Sequence, residues 1–174
     1  MRFAADRKHM KRILYCIPAI LLMGLIFFFS TETGTESGNL SRCISEQIAF
    51  VLNKLFKTEV SVGILNIVVR KGAHFTEYML LAFSYALALR RCFKLRWRMV
   101  LIGMEALTFI YACTDELHQT MVSGRAGMFT DVLIDSAGGL AGVIILIIFF
   151  AKRIRQEDIF YEKNQDNMHN GSGN

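Results

Sequence analysis

Seven residues of this chain have types suited to acid–base or metal chemistry and lie close to apolar sequence: His74, Glu77, Asp115, Glu116, His118, Asp131 and Asp135. Around them stand the cations Arg70, Lys71 and Arg125, and the hydrogen-bonding groups Tyr78 and Gln119. Two carboxylates beside a histidine and an arginine can divide into acid, base and anion holder once their environments separate their proton affinities. On that scheme Glu77 or Glu116 is the base, His74 the acid or proton carrier, and Arg125 the group that holds an anionic substrate, with Asp131 completing the catalytic set. The same cations, Arg70 and Lys71 foremost, could instead bind an anionic head group without chemistry, since basic pockets between helices suit phosphates. Tyr78, Asp115, His118, Gln119 and Asp135 would then line the binding site. In a third reading the set is a hydrogen-bonded ion network that fixes helix order and has no ligand. No HExxH-type spacing is present, so no metal or other cofactor is expected. A Gly-rich phosphate loop and a G-x-S-x-G element are also missing, and Ser30 has no sequence case as a nucleophile.

Spacing places these residues on helices. Lys71, His74 and Tyr78 share one stripe with Glu77 adjacent, and Asp131, Asp135, Gly138 and Gly142 share another. The glycines permit close helix approach, which would hold the two aspartates against a neighbouring helix. The short connection from His118 to Gly127 could fold Arg125 back over the carboxylates as their counter-ion.

The surrounding composition says what kind of helices these are. Hydrophobic residues make up 53% of the 174-residue chain, yet 20% are charged and the net charge is +5. Whole-chain disorder is excluded by the apolar content, and a disulfide scaffold by four scattered cysteines. The charges fall in blocks and leave four apolar segments at about 13–29, 70–89, 97–116 and 131–151. Each meets or approaches the roughly 17 to 25 residues that cross a bilayer as a helix, the third with Trp97 and Arg98 snorkelling at one end. A soluble bundle would show a polar face on most helices, and Ile144 to Phe150 shows none. The fold class expected is therefore an all-α integral membrane protein with four transmembrane helices.

Fourteen of the 20 basic residues lie before the first span, between the second and third, or after the fourth. The positive-inside rule puts those regions, with both termini, in the cytoplasm. The surplus positive charge is thus topology information, and nucleic acid is not an expected partner. The N-terminus resembles a signal peptide but lacks a cleavage site, so the first span is read as uncleaved. With this orientation His74 lies roughly 6 Å and Glu77 roughly 10 Å below the outer interface at ~1.5 Å per residue. Asp115, Glu116, His118, Gln119, Asp131 and Asp135 fall at the same shallow outer level. Glu105, near mid-span, is expected to face the bundle interior or a partner chain, because lipid exposure would cost several kcal/mol. Of the cysteines, only Cys43 and Cys113 are expected to share a compartment.

Residues 30–69 form the outer loop and surface region. Ser30 to Ser41 reads as a loop. Ile44, Ile48, Val51, Leu52 and Leu55 recur at helical spacing, opposite Arg42, Ser45, Glu46, Asn53 and Lys54, which predicts an amphipathic helix lying on the outer membrane surface and covering the bundle. A lid or docking surface is the alternative for it. The domain reading is a basic N-terminus at 1–12, a membrane domain at 13–151 and a polar tail at 152–174, disordered from Asn164 onward.

The ordered motifs carry a family resemblance. Arg70, Lys71, His74, Glu77 and Tyr78 look like the RKxxHxxEY element of the VanZ-like family. Asp115, Glu116 and Gln119, followed by Gly124-Arg125 and Asp131, are similar to its DExxQ…GR…D element, and Phe29-Ser30 followed by Ser37 resembles its first outer loop. The similarity covers roughly residues 13 to 150. Asp135 stands where the family commonly has Asn, and Glu105 is not a family signature. The resemblance implies a small multi-pass protein of the bacterial plasma membrane, whose namesake is associated with resistance to the glycopeptide teicoplanin. The partners it implies are membrane lipids or lipid-linked envelope precursors, with a homodimer as a further option.

Overall fold

The computed structural model describes residues 12–57 and 59–171. The basic residues Arg2, Arg7, Lys8 and Lys11 lie outside them. Regular structure among the described residues is helical throughout. A single turn, Leu14–Cys16, leads into α1 (Ile17–Thr31), followed by α2 (Gly34–Phe56), α3 (Val62–Arg91), α4 (Trp97–Gln119) and α5 (Phe129–Gly171).

α1 is apolar on all sides and begins with Pro18 in its first turn, where the missing N–H costs nothing. Ile20, Leu21 and Phe28 are more than 60% exposed, an arrangement suited to lipid and poorly suited to water. Among the described residues two helical stretches, Leu14–Thr31 and Phe129–Tyr161, are long and apolar enough to cross a membrane. The chain is thus a membrane protein by the chemistry of its surface.

α3 is the hub and packs against α1, α2, α4 and α5. Its buried side, Tyr78, Leu81, Ala82, Tyr85 and Ala86, meets Val100, Met104 and Ala112 of α4. Against α5 the packing is closer still. A methyl group on Gly138 would run into the Phe75 carbonyl oxygen and come within 3.0 Å of its carbon. The glycine stripe therefore does what its spacing predicts and lets the two backbones meet. Glu105 also lies inward, with its Oε2 atom buried against Gly139 and Thr108.

Four expectations are corrected. Residues 34–41 are helical, because α2 begins at Gly34. Ser41 and Ser45 donate to the Ser37 and Ser41 carbonyls, at 3.0 and 2.7 Å, so serines that read as loop are satisfied inside the helix. The second correction concerns the face of α2. Ser41, Ser45 and Ala49 are its buried stripe, while Ile44, Val51 and Leu55 are exposed. In a lipid setting small residues pack helix on helix and large apolar ones face outward, the reverse of a helix in water.

The third correction is at the C-terminal end, where helix continues to Gly171 beyond the apolar stretch. Its stem is held by Arg90–Glu157 and Arg98–Asp158 ion pairs, both 2.9 Å, and by the Trp97 N–H donating to Glu157 at 2.8 Å. Lastly, the cysteines that approach one another are Cys16 and Cys92, whose thiols are near enough to influence each other electrostatically. The first turn and the end of α3 lie side by side, which the linear order of spans did not reveal.

Candidate functional site

The site lies where α3, α4 and α5 present their polar residues beside the end of α1. From α3, the stripe Lys71, His74 and Tyr78 meets acidic partners on two different helices. Lys71 Nζ donates to Asp131 Oδ1 at 2.9 Å. His74 Nδ1 stands 3.6 Å from Asp135 Oδ1, within ion-pair reach but too long for a hydrogen bond. Tyr78 turns the other way, and its hydroxyl donates to Asp115 Oδ2 at 3.1 Å. Gln119, one turn along α4, donates to the same oxygen at 3.1 Å. Asp115 is thereby held from two sides with Oδ1 left over, and Asp135 is fully buried with neither oxygen hydrogen-bonded.

Gly124 makes the turn that returns the chain, with φ of +74°, packed against Gly34 at the start of α2. Arg125 follows and folds inward, as its place in the loop suggested. It does not become a counter-ion to the carboxylates. Its Nη2 donates to the Phe29 carbonyl at 3.0 Å, and its buried Nε has no hydrogen-bond partner. The last carbonyls of a helix lack intrahelical donors and carry the negative dipole end, so the end of α1 attracts the guanidinium. Burial and the neighbouring Arg70 pull the Arg125 proton affinity below its ordinary value.

Two adjoining cavities open between these elements. One, about 160 Å³, is lined by Ser30, Glu32, Ser37, Arg70, His74, Glu77, Asp115 and Arg125, among others. The second, about 260 Å³, includes Arg70, Lys71, His74, Arg125, Asp131 and Asp135. Arg70, His74 and Arg125 belong to both and form the partition between them. Neither Arg70 nor Arg125 has a carboxylate partner among the ion pairs of the described residues. With histidine neutral, the described residues lining the larger cavity bring three cations against two carboxylates, and those of the smaller bring two against three. The larger is the better anion site.

Eight of the twelve residues singled out from the sequence thus line a cavity directly: Arg70, Lys71, His74, Glu77, Asp115, Arg125, Asp131 and Asp135. Tyr78 and Gln119 stand behind Asp115 as its donors. Glu116 and His118 stand outside both. Glu116 Oε2 accepts the Met128 N–H at 2.9 Å and ties down the connection into α5. His118 stacks on Phe27 of α1, ring centroids 4.5 Å apart. Among the described residues no group of three or more His, Cys, Asp or Glu side chains is placed to hold a metal ion.

Sequence reasoning missed Glu32 and the serines as cavity residues. Ser30 is buried with an unpartnered hydroxyl, and Ser37 follows on the first turn of α2. The available signal was the spacing of Ser37, Ser41 and Ser45, a four-residue small-polar repeat that marks a packing face. No curated protein and no solved structure matches the chain. A family model described as VanZ/LLP1 does match, over residues 15–150, a span that includes every cavity-lining residue named above. The chain belongs to the VanZ/LLP1 family.

Proposed function

We propose that this protein binds an anionic or lipid-linked envelope component at the cavity pair around His74, and that this binding alters susceptibility to lipoglycopeptides such as teicoplanin. The observation that carries the reading is the wall shared by the two cavities. Arg70 and Arg125 face both of them and lack a carboxylate partner among the described residues, whereas Lys71 is already engaged by Asp131. A guanidinium presents a planar fork of donors suited to phosphate or carboxylate. An anion entering there meets the buried Arg125 Nε, a donor without a hydrogen-bond partner among the described residues.

The setting we propose is a four-span bundle in the plasma membrane. α1, the second half of α3, α4 and the first part of α5 cross it, both termini are cytoplasmic, and α2 lies on the outer side. The block distribution of basic residues supports this orientation. The cavities then open toward the outer leaflet, where an amphiphile could enter with its head group against Arg70 and Arg125.

A second reading, acid–base chemistry on the bound component, is favoured by one feature. His74 has carboxylates on both sides, Asp135 in one cavity wall and Asp115 with Glu77 in the other, and oxygens of Asp115 and Asp135 have no hydrogen-bond partner. The test uses purified full-length protein in micelles with a polyprenyl phosphate as probe. Binding should be lost in Arg70→Gln/Arg125→Gln while folding is retained, and undiminished binding would overturn the proposal. A product formed by the wild type and lost in His74→Ala or Glu77→Gln would favour chemistry over binding.

A further inference from the structure

Roughly 24 Å along α3 from His74, at 1.5 Å per residue, the opposite end of the bundle carries a second and larger groove. It measures about 1120 Å³ and runs between the C-terminal end of α3 and the middle of α5, with Trp97 at the start of α4 in its lining. Its lining changes character along its length. Phe83, Ala86 and Leu87 of α3 face Leu146 and Phe150 of α5, and form an apolar half. Beyond them come Arg90, Arg91, Lys94 and Arg153, with Glu157 as the single carboxylate among the described lining residues.

That carboxylate is already engaged. Glu157 accepts from Arg90 at 2.9 Å and from the Trp97 N–H at 2.8 Å. Arg90 in turn donates to the Leu95 carbonyl at 2.7 Å and lies 5.1 Å over the Trp97 ring. These contacts build a rigid floor, with Trp97 stacked on Phe150 at 4.8 Å. Arg91, Lys94 and Arg153 are left with no ion-pair partner among the described residues. Lys94 is held in the left-handed region, φ +57°, by the turn that joins α3 to α4, so its backbone position is set by the fold.

We infer that this groove is a binding site for an anionic phospholipid, with acyl chain against Leu87 and Phe150 and the head-group phosphate among Arg91, Lys94 and Arg153. The apolar half beside three uncompensated cations matches an amphiphile with an anionic head, and matches neither a soluble anion nor a zwitterionic lipid as well. The site is separate from the cavities around His74 and shares no residue with them.

The experiment titrates phosphatidylglycerol onto the purified full-length chain in zwitterionic micelles and counts bound lipid by native mass spectrometry. Lys94→Gln/Arg153→Gln should weaken binding about thirtyfold, from the loss of two cations near a lipid phosphate. Lys152→Gln/Arg155→Gln removes equal charge from exposed positions off the groove and should leave binding within about twofold. Unfolding midpoints of both variants should match the wild type, because neither pair makes an ion pair among the described residues. Leu87→Trp, which fills the apolar half and keeps every cation, should also abolish binding. Equal losses in the two charge variants would overturn the site in favour of diffuse attraction. Phosphatidylcholine binding as tightly, or glycerol phosphate displacing the lipid at comparable concentration, would overturn the ligand class.

Discussion

Replacing Gly138 by alanine tests whether α3 and α5 are in backbone contact beside the site. The added methyl would collide with the Phe75 carbonyl oxygen and lie 3.0 and 3.2 Å from the Phe75 carbonyl carbon and Cα. Carbon atoms sit comfortably at about 3.5–4.0 Å, so the helices must part by on the order of 1 Å. Overpacking of this kind costs about 1–3 kcal/mol, and the upper half applies because the obstacle is backbone and cannot rotate away. Alanine is itself favoured over glycine in a helix by about 1 kcal/mol, leaving a net destabilisation of about 1–2 kcal/mol. Gly72 and Gly24 have nothing within 4 Å of an added methyl, so the same exchange there keeps only the helix gain. One substitution type should therefore change sign with position, a spread of about 2 kcal/mol or more. Unfolding midpoints of the purified variants in one detergent measure it. His74 adjoins Phe75 in sequence and Asp135 lies about one turn from Gly138, so Gly138→Ala should also weaken binding at the proposed site. Gly138→Ala and Gly72→Ala unfolding within about 0.5 kcal/mol of each other would refute the close approach.

Other substitutions separate scaffolding from site. Glu116→Gln should leave abundance unchanged, because an amide oxygen can still accept the Met128 N–H, whereas Glu116→Ala should cost about 1–3 kcal/mol and lower the amount of inserted protein. Tyr78→Phe removes one of two donors to Asp115 and should destabilise by about 1 kcal/mol, read as a lower unfolding midpoint with the bundle intact. Gly142→Ala, whose new methyl would have neighbours at 3.5–3.6 Å, should be accepted with little change in stability, in contrast to Gly138→Ala one turn earlier. A periplasm-active reporter fused after Lys94 should stay silent, and activity there would reverse the proposed orientation.

Much of this protein was legible in residue order because its chemistry is segregated. Apolar blocks as long as Leu14–Thr31 and Phe129–Tyr161 have no stable place in water as exposed helices, so the membrane character follows from composition and length. The helical stripes 71/74/78 and 131/135/138 predicted which side chains would face a neighbour, since 3.6-residue periodicity acts within a single element. Which neighbour each would meet is a property of packing. Tyr78 shares a stripe with Lys71 and His74 yet reaches Asp115 on α4, while they meet Asp131 and Asp135 on α5. Glu116 and Arg125 were read as chemical groups. The fold ties the first to a loop N–H and the second to the end of α1, because unsatisfied backbone groups at helix ends compete for charged side chains. The buried stripe of α2 escaped notice for a similar reason, since Arg42 and Glu46 stay exposed as expected but so do Ile44, Val51 and Leu55. An amphipathic pattern reveals that two faces differ, but lipid, water and neighbouring helices decide together which one turns inward, and here Ser41, Ser45 and Ala49 do.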